Sequence, residues 1–210
     1  MTGGPRSGRP FRRDLLEGDT LLAARAILGA RLVREAADGR RTGRIVEVEA
    51  YVGPGDLASH ARMGPTPRNR VMFGPAGVAY VYLVYGMHHC LNVVTGPEDF
   101  PAALLIRAVE PIDGLAGMRA ARGRANVADE RLAAGPGLVG SAFGITRADT
   151  GLDLLDPGSP LRLEGRQADE PEPVVATGPR IGIAYAGEPW TSMPWRFAVA
   201  GSPSLSRPIA

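Results

Sequence analysis

Thr42-Gly43-Arg44-Ile45-Val46-Glu47-Val48-Glu49-Ala50-Tyr51 decides the fold class, because apolar and polar residues alternate along it with a period of two. Such a run is a β-strand. Strict alternation puts Ile45, Glu47, Glu49 and Tyr51 on one face and Val46, Val48 and Ala50 on the other. The valine face reads as core. The opposite face sets a carboxylate beside an aromatic ring and is either solvated surface or the wall of a cleft; the strand by itself favours the solvated reading. In a cleft, the carboxylate would suit a general base for water or an anion that stabilises developing positive charge.

Upstream, Ala30–Arg34 also alternates, and the Asp38-Gly39 pair joins it to the Thr42–Tyr51 strand as a hairpin. Before the hairpin, Asp19 is placed to cap an amphipathic helix over Leu21–Leu28, which Gly29 stops. Downstream, further strands are expected at Val78–Tyr85, Cys90–Val94 and Ala102–Val109, set off by glycine and proline. Helices are expected over Asp113–Arg122, Ala128–Ala133 and from Pro136 to Phe143, where proline suits a first turn. Strands return near Leu161–Glu164, Val174–Ala176, Ile181–Ala184 and Arg196–Ala200. Gln167–Pro173 reads as a surface loop. The chain of 210 residues suits one large domain over residues 11–210, preceded by a flexible, Gly/Pro/Arg-rich stretch over residues 1–10.

All 24 basic residues are arginine. With no lysine, the only amine left for a Schiff base is the N-terminal one, so a lytic reaction would use water as its nucleophile. A lone cysteine, Cys90, rules out an internal disulfide and points to a reducing compartment. With three histidines it leaves too few soft ligands for the usual zinc spacings. No apolar run has membrane-spanning length and residues 1–10 hold no signal-peptide stretch, so a cytoplasmic location is expected, nucleoid-associated in a prokaryote. A net charge of +2 permits a nucleic-acid partner without requiring one.

Candidate functional residues concentrate between Ile45 and Glu110. Tyr80-Val81-Tyr82-Leu83-Val84-Tyr85-Gly86 places Tyr80 and Tyr82 on one face and Tyr85 at a glycine turn, where its ring would project from a hairpin tip. These rings are either ordinary core packing or, alternatively, one stacks on a flat ligand while another wedges between base pairs. Thr66-Pro67-Arg68-Asn69-Arg70 presents two guanidinium groups two apart, as a solvated turn or as a holder of successive phosphates. Arg107 interrupts an apolar strand beside Leu105 and Val109 and, once buried, needs an acidic partner such as Glu47 or Glu49, or a phosphate. His88 and His89 fall on opposite strand faces and cannot jointly chelate a metal.

At these residues the sequence resembles the alkyladenine type of 3-methyladenine DNA glycosylase, which excises damaged purines from duplex DNA. The matching text is Gly43–Tyr51, Thr66–Arg70, Tyr80–Met87, Asn92 and Leu105-Ile106-Arg107-Ala108-Val109-Glu110-Pro111. Similarity runs from about Leu22 to Pro203. The resemblance implies an α+β fold: a single mixed domain with a curved antiparallel β-sheet, flanking helices and a protruding hairpin that enters the DNA minor groove. It implies no cofactor and no metal. Carried over by position, Glu49 is the base that activates water, with Arg107 helping to hold the water or the flipped nucleotide. Tyr51, His60 and Tyr82 wall the pocket for an extruded base. Asn92 clashes with the amino group of guanine, and Ile181 contributes its backbone carbonyl. Tyr85 fills the hole in the duplex, while Met72 and Met87 shape the surroundings; Met87, Arg68 and Arg70 are placed on the DNA. Where some members carry aromatic residues, this chain has His88-His89. The implied partner is double-stranded DNA with damaged purines, bound by a monomer that leaves its product to abasic-site enzymes. Two rivals stand beside this reading. One is a noncatalytic nucleic-acid-binding module; the other is a hydrolase of small nucleosides or glycosides, to which Tyr85 would add nothing.

Overall fold

The computed structural model describes residues 8–209, and a single side chain sets its first α-helix. Asp19, in extended conformation, accepts the backbone N–H groups of Leu21 and Leu22 at 2.7 and 3.0 Å, which satisfies two of the donors left open at the start of α1 (Thr20–Ile27). The helix buries Ala23, Ala24 and Ile27. Residues 1–7 of the expected N-terminal stretch lie outside the described residues. Within it, Pro10 bridges to Glu164, and the Arg9 carbonyl accepts the N–H of Gly165.

β1 (Arg31–Ala36) and β2 (Gly39–Tyr51) form the expected hairpin. Its turn residues are Ala37 and Asp38, one position earlier than the Asp38-Gly39 reading, and Gly39 is the residue that takes the left-handed backbone, at φ +124°. β3 (Ala79–Val84) and β4 (His88–Thr95) make a second hairpin, and β5 (Ala102–Asp113) follows. α2 (Leu115–Arg122) starts two residues later than expected because β5 runs on to Asp113 and Gly114 then turns the chain at φ +76°. A β-carbon on Gly114 would lie 2.3 Å from the carbonyl oxygen of Arg40, so only glycine fits. α3 (Pro136–Ala142) carries its proline in the first turn, and β6 (Leu161–Glu164), β7 (Val175–Gly178) and β8 (Arg196–Val199) complete the set.

Two expected elements do not form. The helix over 128–133 is reduced to a 3-10 turn at Asp129–Arg131, because the chain beyond it docks along β5: Ala133 accepts the N–H of Val109, and Ala134 bridges Ala108. The strand over 181–184 is absent because Gly182, at φ +80°, interrupts the extended run and the Ile181 N–H serves a side chain instead of a ladder.

The sheet is antiparallel throughout, in the order β3-β4-β5-β2-β1-β6, with β8 pairing both β2 and β7. β2 is the hinge of this arrangement. One of its edges lies along β5, while the other is shared, first with β1 over residues 39–44 and then with β8 over 47–49. Serving two partners along one edge curls the sheet, and irregularities in the β2–β5 register between Ile45 and Val48 sharpen the bend. They also break the simple alternation. Ile45 joins Val48 and Ala50 in the main core, packed with Leu104, Ile106, Leu91 and Val93 under α1 and α3. Glu47 and Glu49 take the opposite face.

Candidate active site

The second sheet face is where the functional candidates collect. Alternate residues of three strands line one cavity of about 400 Å³: Tyr80 and Tyr82 of β3, Cys90 and Asn92 of β4, Ala103, Leu105 and Arg107 of β5. Tyr51 ends β2 beside them. The strand register produces this convergence, because Asn92 pairs with Tyr80 on one side and Leu105 on the other, while Leu105 pairs in turn with Glu49. Loops close the rest with Ala58, His60, Met72 and Ile181–Ile183, and Pro136 of α3 adds one edge. That volume lies within the range of small-molecule sites, roughly 300–1,000 Å³.

The carboxylate face of β2 is not solvated, which corrects the reading the strand favoured. Glu47 and Glu49 are both fully buried. What keeps them there is arginine: Arg107, itself buried, lies 3.0 Å from Glu47 Oε1 through Nε and 3.2 Å from Glu49 Oε1 through Nη1. A charged group taken out of water needs such partners. The two acids then differ. Glu47 is saturated by donors from three further directions, Arg196 Nη1 at 3.1 Å, the Ser206 hydroxyl at 2.7 Å and the Ser206 N–H at 2.6 Å. Glu49 faces the cavity wall, where the Tyr51 hydroxyl donates to Oε2 at 3.0 Å and the Ile181 N–H to Oε1 at 2.7 Å.

Burial raises the pKa of Glu49 above the usual carboxylate value, and the Arg107 charge, the Ile181 N–H and the Tyr51 hydroxyl pull it back. A carboxylate balanced in this way is more basic than a solvated one, yet has a cation at hand that favours its ionised form. Tyr51 is held well above its ordinary value, first by burial and then by the Glu49 charge, so it stays a hydroxyl donor. His60 accepts or donates at 3.2 Å with the Tyr80 hydroxyl and meets the Tyr82 ring edge-on at 4.4 Å between centroids. Burial, with Arg68 and Arg62 nearby, lowers its pKa to about 4.

Comparison with known proteins settles the family. The pattern described as methylpurine-DNA glycosylase matches residues 14–203. The chain belongs to the methylpurine-DNA glycosylase family. It is 52% identical over 191 residues to a protein of Anaeromyxobacter dehalogenans, covering 90% of this chain and 82% of that one. A protein of Myxococcus xanthus is 48% identical over 194 residues, covering 89% and 88%. One of Bacillus cereus is 44% identical over 199 residues, covering 91% and 96%. Each carries the name "putative 3-methyladenine DNA glycosylase".

Against this family background, the structure gathers most of the residues singled out from sequence. Tyr51, His60, Met72, Tyr82, Asn92, Arg107 and Ile181 line the cavity, with Glu49 bonded to its wall. Asn92 is fixed by donating Nδ2 to the Tyr80 carbonyl at 3.1 Å. Ile181 donates its backbone N–H to Glu49. Tyr85 reaches the cavity rim from the tip of the β3–β4 hairpin, 88% exposed, and exposed Met87 is on the same tip but does not line the cavity. Arg68 lies over the Tyr82 ring at 5.7 Å, whereas Arg70 faces a separate hollow with Thr66, Phe73 and Asp99.

Several members of the site were not among the sequence candidates. Tyr185 lines the cavity, ties its hydroxyl to the Ala58 carbonyl at 2.8 Å and carries Arg62 over its ring at 5.6 Å. Asn69, buried between the two candidate arginines, donates to the carbonyls of His60 and Gly64 at 3.0 and 3.1 Å and so fixes the loop that presents His60. Its spacing from Thr66, whose N–H it accepts, was the available signal. Among the described residues, no three His, Cys, Asp or Glu side chains gather in a way that could hold a metal ion.

Proposed function

We propose that the chain is a monofunctional 3-methyladenine DNA glycosylase: it flips an alkylated or deaminated purine from duplex DNA, hydrolyses the N-glycosidic bond and leaves an abasic site. One observation carries this reading. A fully buried carboxylate, Glu49, is held by Tyr51, Ile181 and Arg107 against the wall of a cavity lined with aromatic rings. A base inside the helix hides its glycosidic bond, so it must leave the stack, at a cost of a few kcal/mol. Stacking on Tyr51, Tyr82 or His60 recovers about 1–3 kcal/mol per base, and more for a cationic purine against electron-rich rings.

In the chemical step the bond between the purine and C1′ of the sugar breaks, and its electron pair leaves with the base. Positive charge grows on the sugar, which ionised Glu49 stabilises. Water attacks C1′ and gives its proton to Glu49. A purine made cationic by alkylation departs as a neutral molecule and needs no acid. A neutral one such as hypoxanthine does need a proton. Burial suppresses protonation of His60 and holds the Tyr51 and Tyr82 hydroxyls in their protonated, weakly acidic form. Charged lesions are therefore the faster substrates. The absence of lysine from all 210 residues supports a reaction that stops at the abasic site, without a Schiff base to cut the strand. The enzyme acts as a monomer on double-stranded DNA and passes its product to abasic-site processing enzymes.

The test is incubation with duplexes that carry 3-methyladenine or hypoxanthine, and with the corresponding nucleosides. Release of free purine from duplex alone, with a strand that breaks only after alkali, is the expected outcome. Equal binding to damaged and intact duplex with no free base would instead identify a binding module. Release from nucleosides would identify a small-substrate hydrolase.

A further inference from the structure

Asp56 and Arg180 form an ion pair with no solvent exposure on either side chain. Arg180 Nη1 donates to Asp56 Oδ2 and Nη2 to Oδ1 at 2.9 Å, and Nη1 also donates to the Ala50 carbonyl at 2.9 Å. The guanidinium carbon lies over two aromatic rings, 4.8 Å from the Tyr51 centroid and 4.9 Å from that of Trp195. Asp56 in turn accepts the N–H groups of Val52 at 3.1 Å and Ala58 at 3.0 Å. The residue after Arg180 is Ile181, whose amide is bonded to Glu49.

We propose that Asp56 and Arg180 are positioning residues, which hold the Tyr51 hydroxyl and the Ile181 amide on Glu49 and thereby set both its reactivity and the placement of the cavity wall. This rests on the reading of Glu49 as the base. The pair does more than neutralise its own charges, because each partner also satisfies backbone groups beside the site. Apolar groups would leave the carbonyl of Ala50 and the amides of Val52 and Ala58 without their present partners.

The charged and titratable groups around Glu49 are Glu47 and Tyr51 on its own strand, Arg107 on β5 and Tyr82 on β3. Tyr185 and Arg180 approach from the 180–185 loop, and Arg196 of β8 is spent on Glu47. Among the groups that act on Glu49, the Ile181 amide and the Tyr51 hydroxyl both favour its ionised form. Loosening them moves its titration to higher pH.

Arg180→Lys keeps the charge but loses the fork and the flat stacking face. Carboxyl NMR titration of Glu49, assigned through Glu49→Gln, should show a midpoint about one pH unit above that of the unaltered protein. Purine release near neutral pH should slow about tenfold, with duplex affinity unchanged. Asp56→Asn should do the same, and serves if the lysine variant does not fold. An unchanged Glu49 midpoint in a folded variant overturns the proposal. So does failure of both variants to fold, which would make the pair a requirement of the fold. If the unaltered protein releases no purine, the proposed function falls, while the NMR midpoint still decides the role of the pair.

Discussion

Tyr85 occupies a conformation that tyrosine rarely adopts. Its φ is +51°, followed by Gly86 at +71°, and its ring is 88% exposed at the hairpin tip. A left-handed backbone costs a non-glycine residue about 1–2 kcal/mol, so the protein keeps an exposed ring where glycine would be more stable. Tyr85→Gly should therefore hold or raise Tm while purine release from duplex falls at least tenfold and release from single strands barely changes; equal losses on both substrates would reject the wedge. His60 should remain neutral across pH 6–8, because burial lowers its pKa to about 4. Its ring-proton NMR shifts should stay flat over that range, and 3-methyladenine should be released faster than hypoxanthine throughout. Asn92→Ser should admit guanine lesions. Glu49, Tyr51, Tyr82 and Arg107 were legible because they lie on strands with a two-residue period, whereas His60, Asn92 and Ile181 were reached only through the family resemblance. Arg180 and Asp56 were not legible, since their partnership spans 124 positions and no local pattern records it.

At the level of elements, β2 and β5 were readable as strands but their irregular register was not. Strict alternation groups Ile45 with Glu47, whereas the offset near Val46 sends Ile45 into the core and leaves both glutamates on the site face. Hydrophobic pattern cannot report such an offset, because one extra residue changes pairing without changing composition. The same pattern left Glu47 looking solvated, since the arginines that satisfy it come from β5 and β8. Glu47 joins β2 and these strands to the segment at Ser206. Removing it leaves Arg107 and Arg196 buried without this counter-charge, so Glu47→Ala should destabilise the fold by about 3–5 kcal/mol in denaturant unfolding. A cost below about 1 kcal/mol would show that the network is not what holds these strands together.

Across the whole molecule, the order of most strands and helices was legible from periodicity and turn signals, while the curved antiparallel sheet was expected only from the family resemblance; its curl arises where one long strand shares an edge between β1 and β8. Charge gives little attraction to DNA, with a net of +2. Cavity-side cations such as Arg62 and Arg68 sit over Tyr185 and Tyr82, so only a few phosphate contacts are expected, and the slope of log affinity against log salt should be about −3 or shallower. The decisive measurement concerns Glu49. Burial raises its pKa, so ionising it costs folded-state stability as pH rises through that value. Glutamine can keep its carbonyl on Ile181 and Arg107 and turn its amide to the Tyr51 oxygen. Single-turnover release of 3-methyladenine from duplex by Glu49→Gln should fall about a hundredfold or more near neutral pH, with Tm equal to or above that of the unaltered protein; full turnover by the folded variant would contradict the account.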